Sequence, residues 1–217
     1  MTTDDISQDI PEQRLAWDDE YRCKGSLWGK TPLEPTTQEN PGIFLDLGCG
    51  NGKNLRDGSR SKARIGLDFS IQALRLCRKK PDISDAHFIC ADARFLPFKN
   101  SCIHHIDAHH ILGHLLYQDR TKAACEVTRV LKPGGELLVT VFGTGDFRSE
   151  KGTMIEDGTY LRGNNIITHY FSKAETLTLF PELRLLYTRP CSWTMQVKNQ
   201  NFMRFVWVLK FLKPRDP

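Results

Sequence analysis

The segment Phe44–Asn54, FLDLGCGNGKN, constrains this chain more than any other. A short apolar run of the kind buried on both faces of a sheet leads directly into glycines at 48, 50 and 52. Glycine has no Cβ, so this spacing behind a strand marks a place where something comes close to the main chain. Two phosphate-binding motifs occupy the same position in other chains. A dinucleotide fingerprint needs its third glycine at 53, which is lysine; a P-loop needs glycine at 47 and Ser or Thr at 54, where leucine and asparagine stand. Neither fits.

The rest of the chain supplies the partners of that strand. Apolar runs at 63–67, 86–90, within 102–112 and at 136–142 read as strands. Helices are expected at 11–23, 70–80 and 118–131, with Ser70 as an N-cap, and a short helical turn at 52–56. Residues 144–170 are Gly-rich and read as irregular. Ser172 and Glu175 predict a capping box for a helix over 172–180, and runs at 183–189 and 202–211 read as an antiparallel pair. Strands alternating with helices predict an α/β fold with a mostly parallel sheet and helices on both faces.

With 217 residues, 40% hydrophobic and 26% charged, the chain suits one domain, 1–217, with an ordinary core. A net charge of +4 permits an anionic partner without demanding one. Seven cysteines without a C-x-x-C pair are expected to be reduced thiols of a cytoplasmic protein. The acidic, polar start MTTDDISQDI does not read as a signal peptide, and no apolar run reaches the ~20 residues of a membrane span.

In parallel α/β folds ligands bind at the carboxyl ends of the strands. There the sequence repeats one residue type: the glycine turn follows Asp46, the second strand runs into Asp68, the third into Asp92 and the fourth into Asp107. Asp68 is placed to accept from a ribose diol and to reject a 2′-phosphate. Asp92 is placed to accept from an adenine amine, with the Ala93 N–H near a ring nitrogen. Carboxylates around the turn suit a ligand carrying an ammonium and a sulfonium.

FLDLGCGNGKN, GLDFS, CADARFLPF, IDAHHILGHL and EVTRVLKPGGELLVTVF resemble, in order and spacing, the motifs of class I S-adenosylmethionine-dependent methyltransferases. The resemblance implies a three-layer sandwich with a seven-stranded sheet, the last strand antiparallel. It implies S-adenosylmethionine as cofactor, with S-adenosylhomocysteine as product; the residues themselves offer no third metal ligand, and no metal is expected. Residues 1–40 would be a helix-and-loop cap, 41–143 the cofactor-binding core, 144–182 a substrate region and 183–217 the final strands. Asp46, Gly48, Cys49, Gly50 and Gly52 would line the methionine part and ribose. Asp68 and Phe69 would hold the ribose, Asp92 and Ala93 the adenine, and Asp107 and Ala108 would lie near the methionine end. Tyr21 would fold over the cofactor and Trp28 lie near the substrate; Trp17 and Tyr21, four apart, fit an apolar helix stripe equally well.

In-line methyl transfer needs a proton acceptor only when the attacking group carries a proton. Candidate catalytic residues are His109, His110, Tyr21 and His169, with His114 and Tyr170 beside the acceptor. The pairs His105/His109 and His110/His114 have the spacing of a helical metal site, but His105 falls inside the fourth strand. The modest charge and the lack of an appended RNA-binding module favour a small-molecule acceptor. A tRNA methyltransferase of the wobble-uridine type, a protein methyltransferase and a non-catalytic cofactor-binding protein are the alternatives. No membrane partner is expected.

Overall fold

The computed structural model describes residues 12–25, 27, 42–56 and 61–215. Helix α1 (Gln13–Lys24) comes first and buries Trp17, Asp18 and Tyr21. Strand β1 (Ile43–Leu47) leads into the glycine turn, and β2 (Ala63–Asp68) pairs beside it in parallel, Asp46 opposite Gly66. Helix α2 (Ile71–Cys77) is capped as its sequence predicts, Ser70 Oγ accepting from Ala73 N at 3.2 Å. Strands β3 (His87–Cys90) and β4 (Ile103–His109) follow, then α3 (Tyr117–Val130) and β5 (Leu131–Phe142). After β6 (Thr153–Glu156), β7 (Thr159–Leu161) and β8 (Ile167–His169) come α4 (Lys173–Thr178), β9 (Arg184–Val197) and β10 (Gln200–Leu212).

The main sheet has the order β3-β2-β1-β4-β5-β10-β9. Six strands run the same way, and β10 is antiparallel to both neighbours. This is the expected seven-stranded sheet. One face carries Leu45, Leu47, Ile106, Leu137, Val139 and Val141 into the main core, under Ala123 and Val127 of α3. The opposite face of the central strands begins apolar at Phe44 and turns polar toward the carboxyl ends, at Asp46, Asp107, His109 and Thr140. That polarity gradient is what makes one end of the sheet a site.

Three expectations need correction. Residues 144–170 are not irregular: β6, β7 and β8 form a three-stranded antiparallel sheet. Its first hairpin turns on Asp157-Gly158, with Gly158 at φ +65°. An Asp-Gly turn flanked by strand-forming residues is a hairpin signal, masked here because the strands are only four and three residues long. Strand β9 continues to 197 rather than 189, ending in a two-residue turn with Lys198 and Asn199 both at positive φ. The helical segment after the glycine turn shrinks to a 3-10 turn, Asn54–Arg56.

Candidate active site

Gly48, Gly50 and Gly52 lie at φ +71°, +52° and +74°, where L side chains rarely sit. A Cβ on Gly48 would stand 2.9 Å from Ile111 Cβ, and one on Gly50 would overlap the Tyr21 hydroxyl. The turn is bound to β2 by Gly48 N and Cys49 N, both donating to Leu67 O, at 2.8 and 3.0 Å. Asp68 closes it: Oδ2 accepts from Gly50 N at 2.8 Å and Oδ1 from Ser70 N at 2.9 Å. Burial pushes the Asp68 carboxyl up to about 6, against the lowering effect of those two backbone N–H groups. Each oxygen retains acceptor capacity toward a diol.

Tyr21 lies over Gly50, and burial followed by the nearby Asp68 raises its phenol well above the usual value. Asp18 fixes the helix that carries it, accepting from Ser70 Oγ at 2.6 Å and Gln72 N at 3.2 Å. Sequence reading missed Asp18, because its partners are 52 and 54 residues away. Trp28 lies outside the described residues. The Cys49 side chain packs into a small core with Phe44, Leu55, Leu74 and Cys77, so only its main chain faces the turn.

Asp92 is clamped by a residue two positions on. Arg94 Nε donates to both of its oxygens at 3.0 Å, Nη2 to Oδ2 at 2.6 Å, and Arg94 Nη1 reaches Asp119 Oδ2 at 2.8 Å. Burial works to raise the Asp92 pKa, but the Arg94 hydrogen bonds outweigh it and the net shift is downward. Ala93 is buried beside it and Phe69 packs against the α1 cluster.

On β4 the alternation of strand geometry sets His105, Asp107 and His109 on one side, with Ala108 on the other among the apolar core. His105 Nε2 meets Asp107 Oδ1 at 2.7 Å, and His109 Nε2 lies 3.7 Å from Asp107 Oδ2. His109 Nδ1 also meets Thr140 Oγ1 at 3.0 Å. Asp46 sits in register with Asp107 on the adjacent strand, fully buried. Burial opposes ionisation of Asp107, but hydrogen bonds with His105 and His109 hold its carboxyl far below the carboxylate range. The sequence offered Asp107 and the pair His105/His109 separately; their joining on one side of β4, and the partner Thr140, came only with the fold.

The other histidines divide by role. His110, at φ +64°, stacks on Phe142 with centroids 4.1 Å apart. Burial, then the charges of His109 and His114, keeps its imidazole neutral well below the usual pKa. His114 Nδ1 meets Ile167 O at 2.8 Å, its ring edge-on to Trp17. His169 has both nitrogens occupied, by Thr159 Oγ1 at 2.8 Å and Glu175 Oε1 at 3.1 Å, and is 2% exposed. It therefore braces β8 against α4 and presents no free nitrogen to an acceptor. Tyr170 accepts from Arg162 Nη1 at 3.1 Å and lies near Phe142. Among the described residues no three His, Cys, Asp or Glu side chains are grouped to hold a metal, and no helix is long and apolar enough to cross a membrane.

Residues 44–135 match the methyltransferase domain family. A Methanosarcina mazei protein solved as an S-adenosylmethionine-dependent methyltransferase is 25% identical, with a TM-score of 0.69 over 85% of this chain and 99% of that one. The mouse tRNA N(3)-cytidine methyltransferase METTL2 is 26% identical over 167 residues, 68% of this chain and 43% of its own length. The Arabidopsis thaliana tRNA (carboxymethyluridine(34)-5-O)-methyltransferase is 34% identical over 116 residues, 53% of this chain and 28% of its own. The chain thus spans less than half the length of these curated relatives. Both are named for tRNA, which overturns the expectation that favoured a small-molecule acceptor from modest charge.

Proposed function

Because this chain belongs to the class I S-adenosylmethionine-dependent methyltransferases, we propose that it methylates a nucleoside of tRNA. The observation that carries the acceptor is the similarity to a tRNA methyltransferase over 167 residues, well beyond the 92 residues from 44 to 135 of the family match.

The residues fit the cofactor. The three glycines hold the turn in left-handed backbone that lets its main chain approach a ligand, and Asp68 stands at its edge with lone pairs for the ribose hydroxyls. Asp46 lies beneath the turn for the ammonium and sulfonium, Asp92 and Ala93 are assigned to the adenine, and Tyr21 lies over Gly50. When bound, S-adenosylmethionine supplies a methyl carbon already made electrophilic by its sulfonium. The protein's work is then to hold an acceptor in line with that carbon, and such positioning contributes up to about 7–11 kcal/mol in favourable cases.

Ring nitrogens and carboxylate oxygens have an available lone pair at neutral pH, so their methylation requires no base. In this reading His109, held by Thr140 and Asp107, and His110, stacked on Phe142, shape the acceptor side, with His114 and Tyr170 behind them.

The test is incubation of the purified protein with methyl-labelled S-adenosylmethionine and unfractionated tRNA. Label in RNA that ribonuclease releases is expected. Absence of transfer by protein that binds the cofactor would overturn the tRNA reading and leave the cofactor reading standing.

A further inference from the structure

Positive charge gathers at one place beside the acceptor side. Arg204, on β10, is 3% exposed; its Nε meets Asp146 Oδ2 at 2.7 Å and its guanidinium lies 4.4 Å from the centre of the Phe142 ring. The Arg204 guanidinium is also 5.6 Å from the Phe147 ring, over which Arg148 lies at 5.2 Å. Arg162, just past β7, reaches the Tyr170 hydroxyl at 3.1 Å, and the Tyr170 ring is 6.2 Å from Phe142. Arg204 on Phe142 and Arg162 on Tyr170 thus flank a wall at the carboxyl end of β5 and against His110, with Arg148 beside them over Phe147.

Asp146 is the carboxylate facing this group. Its oxygens already accept from Arg148 N at 3.0 Å and Phe205 N at 3.1 Å as well as pairing with Arg204. Among these described residues, three guanidiniums face one carboxylate, in half-buried surroundings. Burial, then repulsion by Arg204 and Arg162, lowers the Arg148 pKa, so the cluster is strained electrostatically. Crowded, partly desolvated guanidiniums are the arrangement that binds carboxylate or phosphate.

We propose that Arg148, Arg162 and Arg204 form an oxyanion-receiving pocket of the acceptor site, so that the methyl acceptor carries a carboxylate or a phosphate against the Phe142–Tyr170 wall. This rests on the acceptor-side reading above. It separates acceptors by charge: an anionic base substituent or a flanking phosphate enters, and a neutral group alone does not.

Calorimetry on the full chain, saturated with S-adenosylhomocysteine, tests this with three probes: uridine, uridine 5′-monophosphate and 5-carboxymethyluridine. One oxyanion-bearing probe is expected to bind at least tenfold tighter than uridine. Preference for the monophosphate assigns the pocket to backbone phosphate; preference for the carboxymethyl compound assigns it to a base substituent. Arg204→Gln would leave Asp146 buried without its cation and is a poor probe. Arg162→Gln, at a half-buried position, should abolish the advantage and Arg162→Lys should retain part of it. Unchanged S-adenosylhomocysteine affinity reports an intact fold. Equal affinity for the three probes, or an advantage that survives Arg162→Gln combined with Arg148→Gln, overturns the proposal. Failure to methylate tRNA with the oxyanion preference intact would overturn the tRNA reading alone.

Discussion

Asp68 closes the glycine turn by accepting from Gly50 N and Ser70 N. Its folded pKa, about 6, lies above the ordinary 3.8, because burial outweighs the backbone hydrogen bonds from Ser70, Gly50 and Phe69. Between those values the native state binds more protons than the unfolded one, so this group lowers stability as pH rises through that window. A diol engages the ionised form best. Cofactor affinity is therefore expected to be nearly flat above pH 7 and to weaken below about 6; calorimetry across that range checks it, and a flat profile removes the assignment. Asp68→Ala should cost roughly 1–3 kcal/mol of cofactor binding. Gly50→Ala combines positive φ with overlap of the Tyr21 hydroxyl. It should lose about 1–3 kcal/mol of stability, of which Tyr21→Phe restores the steric part; additive losses in denaturant unfolding would show that the two do not touch. Asp68 and the glycines were legible because local chemistry dictates them. The Asp146–Arg204 pair was not, since 58 positions separate its members and only the fold joins them.

Elements are placed by a few buried polar contacts. Helix α1 sits over the glycine turn through Asp18, whose carboxylate accepts from the first turn of α2. Asp18→Ala should destabilise that docking by roughly 1–3 kcal/mol. Faster amide exchange over 13–24, with the central strands unchanged, is the expected signature; exchange rising equally everywhere would contradict a local role. The small sheet β6-β7-β8 rests on two neutral histidines. Burial pushes both His114 and His169 down to about 4. With folded values below the ordinary 6.5, they contribute stability that is complete above 6.5 and is lost as pH falls toward 4, by up to about 1.4 kcal/mol per unit for each. Urea titrations at pH 7 and 5 should show this loss, and His169→Gln should reduce its slope. The capping box at Ser172 and Glu175 was readable because both partners lie within one turn of chain. The short strands before it were not, since their alternation spans too few residues to display a period.

At the scale of the whole molecule, the order of apolar runs was enough to fix a parallel sheet, because each run must bury both faces. That the last two strands pair antiparallel was legible from their closeness in sequence and from the family resemblance, but the insertion of β10 between β5 and β9 was not. The cluster of Arg148, Arg162 and Arg204 proposed to receive the acceptor was not legible, because its members come from three separate segments that only the fold brings near one another. A protein that contacts tRNA phosphates must lose affinity with salt, so binding of bulk tRNA is expected to fall about tenfold or more between 50 and 200 mM salt. Salt-independent binding would contradict it.

The most direct measurement is nucleoside mass spectrometry of tRNA from cells with and without an intact copy of this gene. Loss of one methylated nucleoside is expected, restored by the wild-type chain and not by Asp68→Ala. Identical methylated-nucleoside profiles in the two strains would contradict it.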